Sequence, residues 1–348
     1  VEGSQILHGD TPLQLRGVNW FGFETELHVA HGLWRRNWQE MIAQMQGLKI
    51  NAVRIPVCPD AIRGLTPGGI DFGKNPDLRG LNSLEVLDKI VVELDSRGIH
   101  VLLDHHRPDC HAISELWYTD DYSEKQWITD LAFLADRYRA FPHFMGIDLK
   151  NEPHGKATWG TGKPETDWNT AAEKAAKAVL AAAPDILIFV EGIEDTSRCT
   201  DAPNAWWGGN FAPMNCTPLK IKSDRLVLSP HVYGPDVHPQ PYFEAPNFPD
   251  NLIAIWEAHF GQFIGEGFAV VPGEFGGRYG HAGDARDRVW QNALIEYLRK
   301  KNITSGFYWS WNPNSGDTGG LLQNDWQTVW PTKMSLLNHF WFGTVLAE

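Results

Sequence analysis

The chain has 348 residues, a formal net charge of −13 at pH 7, 21% charged residues and 43% hydrophobic ones. This is ordinary globular usage and excludes disorder; the acidic balance argues against a nucleic-acid partner, which needs a basic footprint. No stretch approaches the roughly 18–20 apolar residues that cross a bilayer, and no basic segment followed by an apolar one opens the sequence, so a soluble protein without a membrane partner, or a mature form whose signal was removed, is expected.

Residues 4–9 and 12–15 read as a short hairpin around Gly9-Asp10, a lid on one end of the domain. Residues 15–20 read as a first buried strand, 21–34 as a loop rich in aromatics, and 38–47 as a helix with Trp38, Met41, Ile42 and Met45 at helical spacing. Residues 50–55 form a second strand ending at Pro56, with Arg54 near its C-terminal end. An Arg inside an apolar strand must find a carboxylate, either in a structural ion pair or to hold a catalytic carboxylate ionised. A long Pro/Gly loop runs to about 82, then a helix over 83–97 capped by Ser83, a strand over 99–104 and a helix over 123–139. The apolar strand 144–150 stops before Pro153, which places Asn151 and Glu152 where strand gives way to loop. An Ala-rich helix over 167–183, a strand over 186–190 leading to Glu191 and an irregular insertion over 193–223 follow. The last units are a strand at 226–229 leading to His231 and Tyr233, a helix at 252–264, a strand at 268–272 leading to Glu274, a helix at 284–300, a strand at 307–311 and a closing helix at 331–342.

Eight apolar strands alternating with helices demand a parallel sheet with right-handed crossovers. Eight units favour closure into a single (β/α)₈ barrel, a TIM barrel, over an open sheet. With no low-complexity linker, residues 1–348 are expected to be one domain with long βα loops. Arg54, His106, Asn151, Glu152, His231, Tyr233, Glu274 and Trp309 all fall at strand C-termini, which a barrel gathers onto one rim, where active sites are built.

Sixteen Trp is an unusual number. About half are expected in the core and the rest along a groove, where flat aromatic faces stack on the C–H faces of sugar rings. Trp20 and Trp311 are left open between the two. Cys58, Cys110, Cys199 and Cys216 lack zinc-like spacing, so no metal is expected, and they read as two disulfides of a secreted protein, with the connectivity open.

Six segments carry a resemblance in combination: Asn-Ala-Val-Arg-Ile-Pro (51–56), Leu-Asp-His-His-Arg-Pro-Asp (103–109), Asp-Leu-Lys-Asn-Glu-Pro-His (148–154), Ser-Pro-His-Val-Tyr (229–233), Gly-Glu-Phe-Gly (273–276) and Trp-Ser-Trp-Asn-Pro (309–313). With them, nearly the whole chain resembles the family 5 glycoside hydrolases, most of all the bacterial endo-β-1,4-glucanases. The resemblance implies a retaining mechanism in which Glu152 is the acid/base and Glu274 the nucleophile. It implies that Arg54 and Tyr233 keep Glu274 ionised while burial and the nearby Glu274 charge keep Glu152 protonated. It further implies that Asn151 donates to the sugar 2-hydroxyl, that His106 and His231 frame the site, and that Trp309 floors the subsite of the nucleophile. Trp34 and Trp207 match loop tryptophans that line the groove. His238 departs from the aromatic ring that similar enzymes can carry there. No metal or organic cofactor is implied, and a secreted monomer acting on a β-glucan is expected. Mannan or mixed-linkage glucan is the neighbouring substrate class, and a non-catalytic carbohydrate-binding protein the different one; the presence of both Glu152 and Glu274 speaks against the latter.

Overall fold

The computed structural model describes residues 1–195 and 199–346. A two-stranded hairpin, β1 (Leu7–His8) and β2 (Thr11–Pro12), opens the chain, turning at Gly9-Asp10 as expected. Around it run the barrel strands β3 (Arg16–Asn19), β4 (Ala52–Val57), β5 (His100–His105), β6 (Phe144–Asp148) and β7 (Leu187–Val190), each parallel to the next. The sixth barrel strand comes in two pieces, β8 (Leu226–Leu228) and β9 (His231–Tyr233), and so does the seventh, β10 (Ala269–Val270) and β11 (Glu274–Gly276). The breaks fall at Pro230 and Pro272, each of which lacks the N–H that a continuous ladder needs. β8 pairs with β10, β9 with β11, and β12 (Gly306–Tyr308) pairs with both β11 and β3, so the ten pieces close as eight barrel strands.

The period-2 alternation of the strands sorts the core into two shells. Ala52, Leu102, Leu187, Val227, Ala269 and Phe307 point into the barrel and pack on Ile6 and Leu15 beneath the hairpin. Val53, Ile55, Val57, Val101, Leu103, Ile188 and Val190 point outward and pack against the helices. Two residues further along each strand, the same inward phase that carries Ala52 and Leu102 carries Arg54 and Asp104.

The helices are α1 (Trp38–Gly47), α2 (Pro59–Ile62), α3 (Ser83–Ser96), α4 (Glu124–Tyr138), α5 (Trp168–Ala182), α6 (Leu252–Trp256), α7 (Gln262–Gly265), α8 (Arg286–Lys300) and α9 (Pro331–Phe342). Several sequence expectations are corrected. Helix α3 is capped by Asn82 in a reciprocal box with Glu85, and Ser83 is its first residue. The segment read as one helix over 252–264 holds a π-turn, Glu257–Gly261, between α6 and α7. Asp167 precedes α5 without capping it, because its carboxylate accepts from Thr158, Thr161, Gly162 and Lys163 in the loop before it. Strand β12 stops at Tyr308, so Trp309 lies on the loop beyond it, where the Trp309–Ser310 bond is cis. Residues 196–198 of the expected insertion and 347–348 of the expected single domain lie outside the described residues.

Cys58 bonds Cys110 and Cys199 bonds Cys216, which settles the connectivity the sequence left open. Among the described residues no helix is long and apolar enough to cross a membrane.

Candidate active site

Eight strands deliver polar side chains to one rim, and Arg54 of β4 is the hub. It is fully buried, and its three nitrogens reach Asp148 (3.0 Å), Asn19 (3.0 Å), Glu274 (2.7 Å), Asn151 (3.1 Å), Asp104 (3.1 Å) and Glu191 (3.3 Å). The two roles weighed for it are therefore one arrangement, since the guanidinium that neutralises the structural carboxylates also binds Glu274. Asn19 in turn donates to Gly273 O at 3.0 Å, fixing the bend that presents Glu274.

Glu274 opens β11 on the seventh barrel strand. Oε1 accepts from Arg54, and Oε2 accepts from the Tyr233 hydroxyl at 2.7 Å. Glu152 follows β6 on the fourth. Its backbone has φ +53°, a left-handed conformation that costs a non-glycine residue of order 1–3 kcal/mol and needs its surroundings to impose it. Glu191 Oε2 accepts the Glu152 N–H at 2.8 Å, and His154 Nδ1 donates to the Glu152 carbonyl at 2.7 Å. The Glu152 carboxylate accepts from the Trp206 indole at 2.7 Å and from His231 Nδ1 at 3.0 Å. His231 Nδ1 also lies 3.6 Å from Glu274 Oε2, and one oxygen of each glutamate lies within 4.8 Å of the other. Both glutamates are 3% exposed, at the floor of an open cleft of about 380 Å³.

Aromatic rings form the cleft walls. Trp309 lies parallel to Phe21 (5.2 Å between ring centres) and to His106 (5.7 Å), and its indole donates to Ser315. Trp206 stacks on Trp207, which stacks on His154 at 3.7 Å. His106 donates from Nδ1 to Asp104 at 2.6 Å. Burial and the Arg54 charge hold its imidazole well below its ordinary pKa, hence neutral, with Nε2 left as an acceptor. Asn151 keeps Nδ2 buried and without a protein partner, a donor in reserve. His238, on the loop after β9, is exposed beside Trp206, with ring centres 5.8 Å apart.

The charge distribution differs from the one expected. Burial raises Glu274 to about 7, against the pull of His231 and Arg54. Burial also acts on Glu152, but the hydrogen bond and charge of His231 and the Trp206 indole outweigh it, so Glu152 lies below the usual carboxylate range. His231 itself is raised well above an ordinary histidine by Glu191, Glu274 and Glu152, against its burial. In the site without substrate, Glu152 is thus the readier of the two to ionise. The sequence could not give this, because His231 aims Nδ1 at Glu152 only once the sixth strand is in place.

Of the residues read from the sequence, Arg54, His106, Asn151, Glu152, His231, Tyr233, Glu274, Trp309 and Trp207 converge on this cleft and its supporting network. Trp34 does not line its centre; it packs edge-on against His31 and Trp326. Trp20 and Trp311, left open between core and groove, are both fully buried core. The sequence reading assigned no role to Asp104, Asp148, Glu191 or Trp206. The three acids follow the positional rule that found Glu274, standing at C-terminal strand ends, and Trp206 was signalled by the Trp-Trp-Gly-Gly run.

A closed eight-stranded α/β barrel with two adjacent carboxyls in an aromatic-walled cleft on its C-terminal rim defines a carbohydrate-cleaving hydrolase. The chain belongs to the cellulase family, glycosyl hydrolase family 5, whose model matches residues 11–315. It is 60% identical over 330 residues to the major extracellular endoglucanase of Xanthomonas campestris pv. campestris, covering 94% of this chain and 68% of that protein. It is 44% identical to an endoglucanase of Paenibacillus polymyxa over 92% of this chain and 81% of that one. The solved catalytic domain of the Xanthomonas enzyme superposes with a TM-score of 0.96 at 58% identity, over 99% of both chains. A cellotetraose complex of an endocellulase from Pyrococcus horikoshii superposes at 0.94 and 48% identity, over 98% of this chain and 97% of that one.

Proposed function

We propose that this chain is an endo-β-1,4-glucanase that cleaves internal glucosidic bonds of cellulose and related β-glucans with retention. The observation that carries the reading is the Glu152–Glu274 pair. One oxygen of each lies within 4.8 Å of the other, which fits the roughly 5–5.5 Å of retaining glycosidases better than the 6.5–9.5 Å that leaves room for an inverting water. Glu274, held from both oxygens by Arg54 and Tyr233, attacks the anomeric carbon. Glu152 protonates the departing oxygen, then takes a proton from the water that releases the glycosyl-enzyme. Asn151 Nδ2 and His106 Nε2 supply a donor and an acceptor for sugar hydroxyls, and Trp309 and Trp207 supply stacking faces. The two extracellular features, a pair of disulfides and an extracellular relative, support a secreted protein. We read residues 1–348 as one catalytic domain working as a monomer.

The test is product analysis on cello-, manno- and xylo-oligosaccharides, with anomer configuration followed by NMR at early times. β-Products from cello-oligosaccharides are expected. Early α-products would overturn the role of Glu274, and faster cleavage of manno-oligosaccharides would keep the mechanism and replace the substrate.

A further inference from the structure

Stacking alone does not hold Trp309 in the cleft. Phe21 and His106 lie nearly parallel to its ring, at interplanar angles of 6° and 12°. Parallel neighbours set the plane of a ring but leave it free to turn within that plane. The bond from indole Nε1 to Ser315 Oγ, 3.1 Å long, runs along the ring plane and stops that turn. Ser315 Oγ in turn donates to Asp317 Oδ1 at 2.9 Å. The direction of both bonds is forced. An indole N–H only donates and a carboxylate only accepts, so the one hydroxyl hydrogen of Ser315 points to Asp317 and its lone pairs are left to Trp309. The Thr318 N–H donates to the same Asp317 oxygen at 2.8 Å, which anchors the carboxylate.

The loop that carries this bracket is tied down from three sides. Arg278, on the turn after β11, donates to Gly316 O. Lys333 of α9, a buried cation, donates to Thr318 O at 3.2 Å and to Gly320 O at 2.9 Å. Asn314 Nδ2 donates to His31 Nδ1 at 3.0 Å, on the loop after β3. Ser315 and Asp317 line the cleft with Tyr233, Glu274 and Trp309, and the reaction above uses neither of them.

We propose that Asp317, acting through Ser315, is the positioning residue that sets the Trp309 ring against the sugar; this rests on the reading of Trp309 as a stacking face. A sugar and an indole attract only over the area where their faces overlap. Turning the indole within its plane moves that area, and with it the sugar that must present its anomeric carbon to Glu274. In this scheme Asp317 acts on the indole and not on the sugar, and what counts is its acceptor oxygen, not its charge. That separates two substitutions. Asp317→Asn keeps an oxygen for both the Ser315 hydroxyl and the Thr318 N–H, whereas Asp317→Ala keeps none.

The experiment measures kcat and KM on cellopentaose for the unmodified protein, Ser315→Ala, Asp317→Ala, the Ser315→Ala/Asp317→Ala double variant, Asp317→Asn and Trp309→Ala. Ser315 is half-buried and Asp317 exposed, so changes there do not hollow the core. Ser315→Ala is expected to raise KM about five-fold and lower kcat about two-fold, as part of the stacking contact is lost. Asp317→Ala should move both constants the same way by a smaller factor, and the double variant should do no worse than Ser315→Ala, because both residues act on one bond. Asp317→Asn should regain most of the Asp317→Ala loss, and Trp309→Ala should lose more than any of them. A loop that only stabilised the fold would lower the melting temperature and leave both constants of the folded protein in place. Additive losses in the double variant, or an Asp317→Asn as poor as Asp317→Ala, would overturn the proposal. Unaltered constants in Ser315→Ala and Asp317→Ala would overturn it too. In that case a loss in Trp309→Ala keeps the stacking reading, and no loss there removes that reading as well. Should Ser315→Ala fail to fold, the Asp317→Ala and Asp317→Asn pair decides alone. ¹⁹F NMR of 5-fluorotryptophan-labelled protein gives a second readout. The Trp309 resonance, assigned by its loss in Trp309→Ala, should shift in Ser315→Ala and Asp317→Ala and return in Asp317→Asn; a resonance unmoved in Ser315→Ala counts against the proposal.

Discussion

The two ends of the barrel interior are built on the same strands and share almost nothing else. At the N-terminal end, Ala52, Leu102, Leu187, Val227 and Phe307 pack with Ile6 and Leu15 into an apolar plug. One pleat further along, Arg54, Asp104, Asp148, Glu191, His231, Glu152 and Glu274 are as deeply buried, and nearly every polar contact there is a charged one. Apolar burial stabilises roughly in proportion to area and tolerates trimming. Buried charge is held only while each partner remains, because an unpaired ion in low dielectric is costly. The lower half serves stability, and the upper half spends stability on a fixed electrostatic geometry.

The largest effect that tests this contrast is at Glu274. Glu274→Ala should reduce hydrolysis of carboxymethylcellulose to background while the melting temperature holds or rises, because a carboxyl raised to about 7 by burial is removed from the crowded end. Melting curves beside the activity assay check both halves, and full residual activity would remove Glu274 from the mechanism.

Arg54→Met breaks the comparison from the other side. It strands Asp104, Asp148, Glu191 and Glu274 without their shared cation, and should cost about 3–5 kcal/mol in urea unfolding together with the activity. Leu102→Ala at the apolar end should cost about 2–5 kcal/mol as a cavity, with kcat of the folded fraction unchanged. If Leu102→Ala changes kcat as much as Arg54→Met does, the two ends are not separate.

A smaller effect lies in the pH profile. Glu274 is raised to about 7, so as pH falls below that value the nucleophile gains a proton and kcat/KM declines. The Tyr233 hydroxyl favours the ionised form, so Tyr233→Phe should raise Glu274 further and move the acid limb to higher pH. An acid limb that stays in place would separate Tyr233 from the ionisation of Glu274. Smallest of all, Trp207→Ala should raise KM for cello-oligosaccharides a few-fold with kcat nearly kept, since it removes one stacking face, worth about 0.5–1.5 kcal/mol beyond area.

Much of this was legible in the sequence. Eight apolar runs and their spacing determined the barrel, because strand and helix periodicities are local properties. The rule that polar residues at strand C-termini share one rim brought Arg54, His106, Asn151, Glu152, His231, Tyr233, Glu274 and Trp309 together without reference to any contact. Prolines 230 and 272 were visible too, although their consequence, two strands each in two pieces, was not drawn from them.

What only the tertiary structure decided depends on which way a side chain faces and on what arrives from distant parts of the chain. Glu191, Asp104 and Asp148 look like ordinary acids after apolar strands until the pleat turns them inward onto Arg54. Trp20 and Trp311 cannot be told from groove tryptophans by sequence, and the structure buries both, while Trp34 is drawn aside onto Trp326, nearly three hundred residues further on. The balance of charge between Glu152 and Glu274 is likewise a tertiary property. A carboxyl's ionisation is set by burial and by charges within a few ångströms, and here those charges come from five different strands.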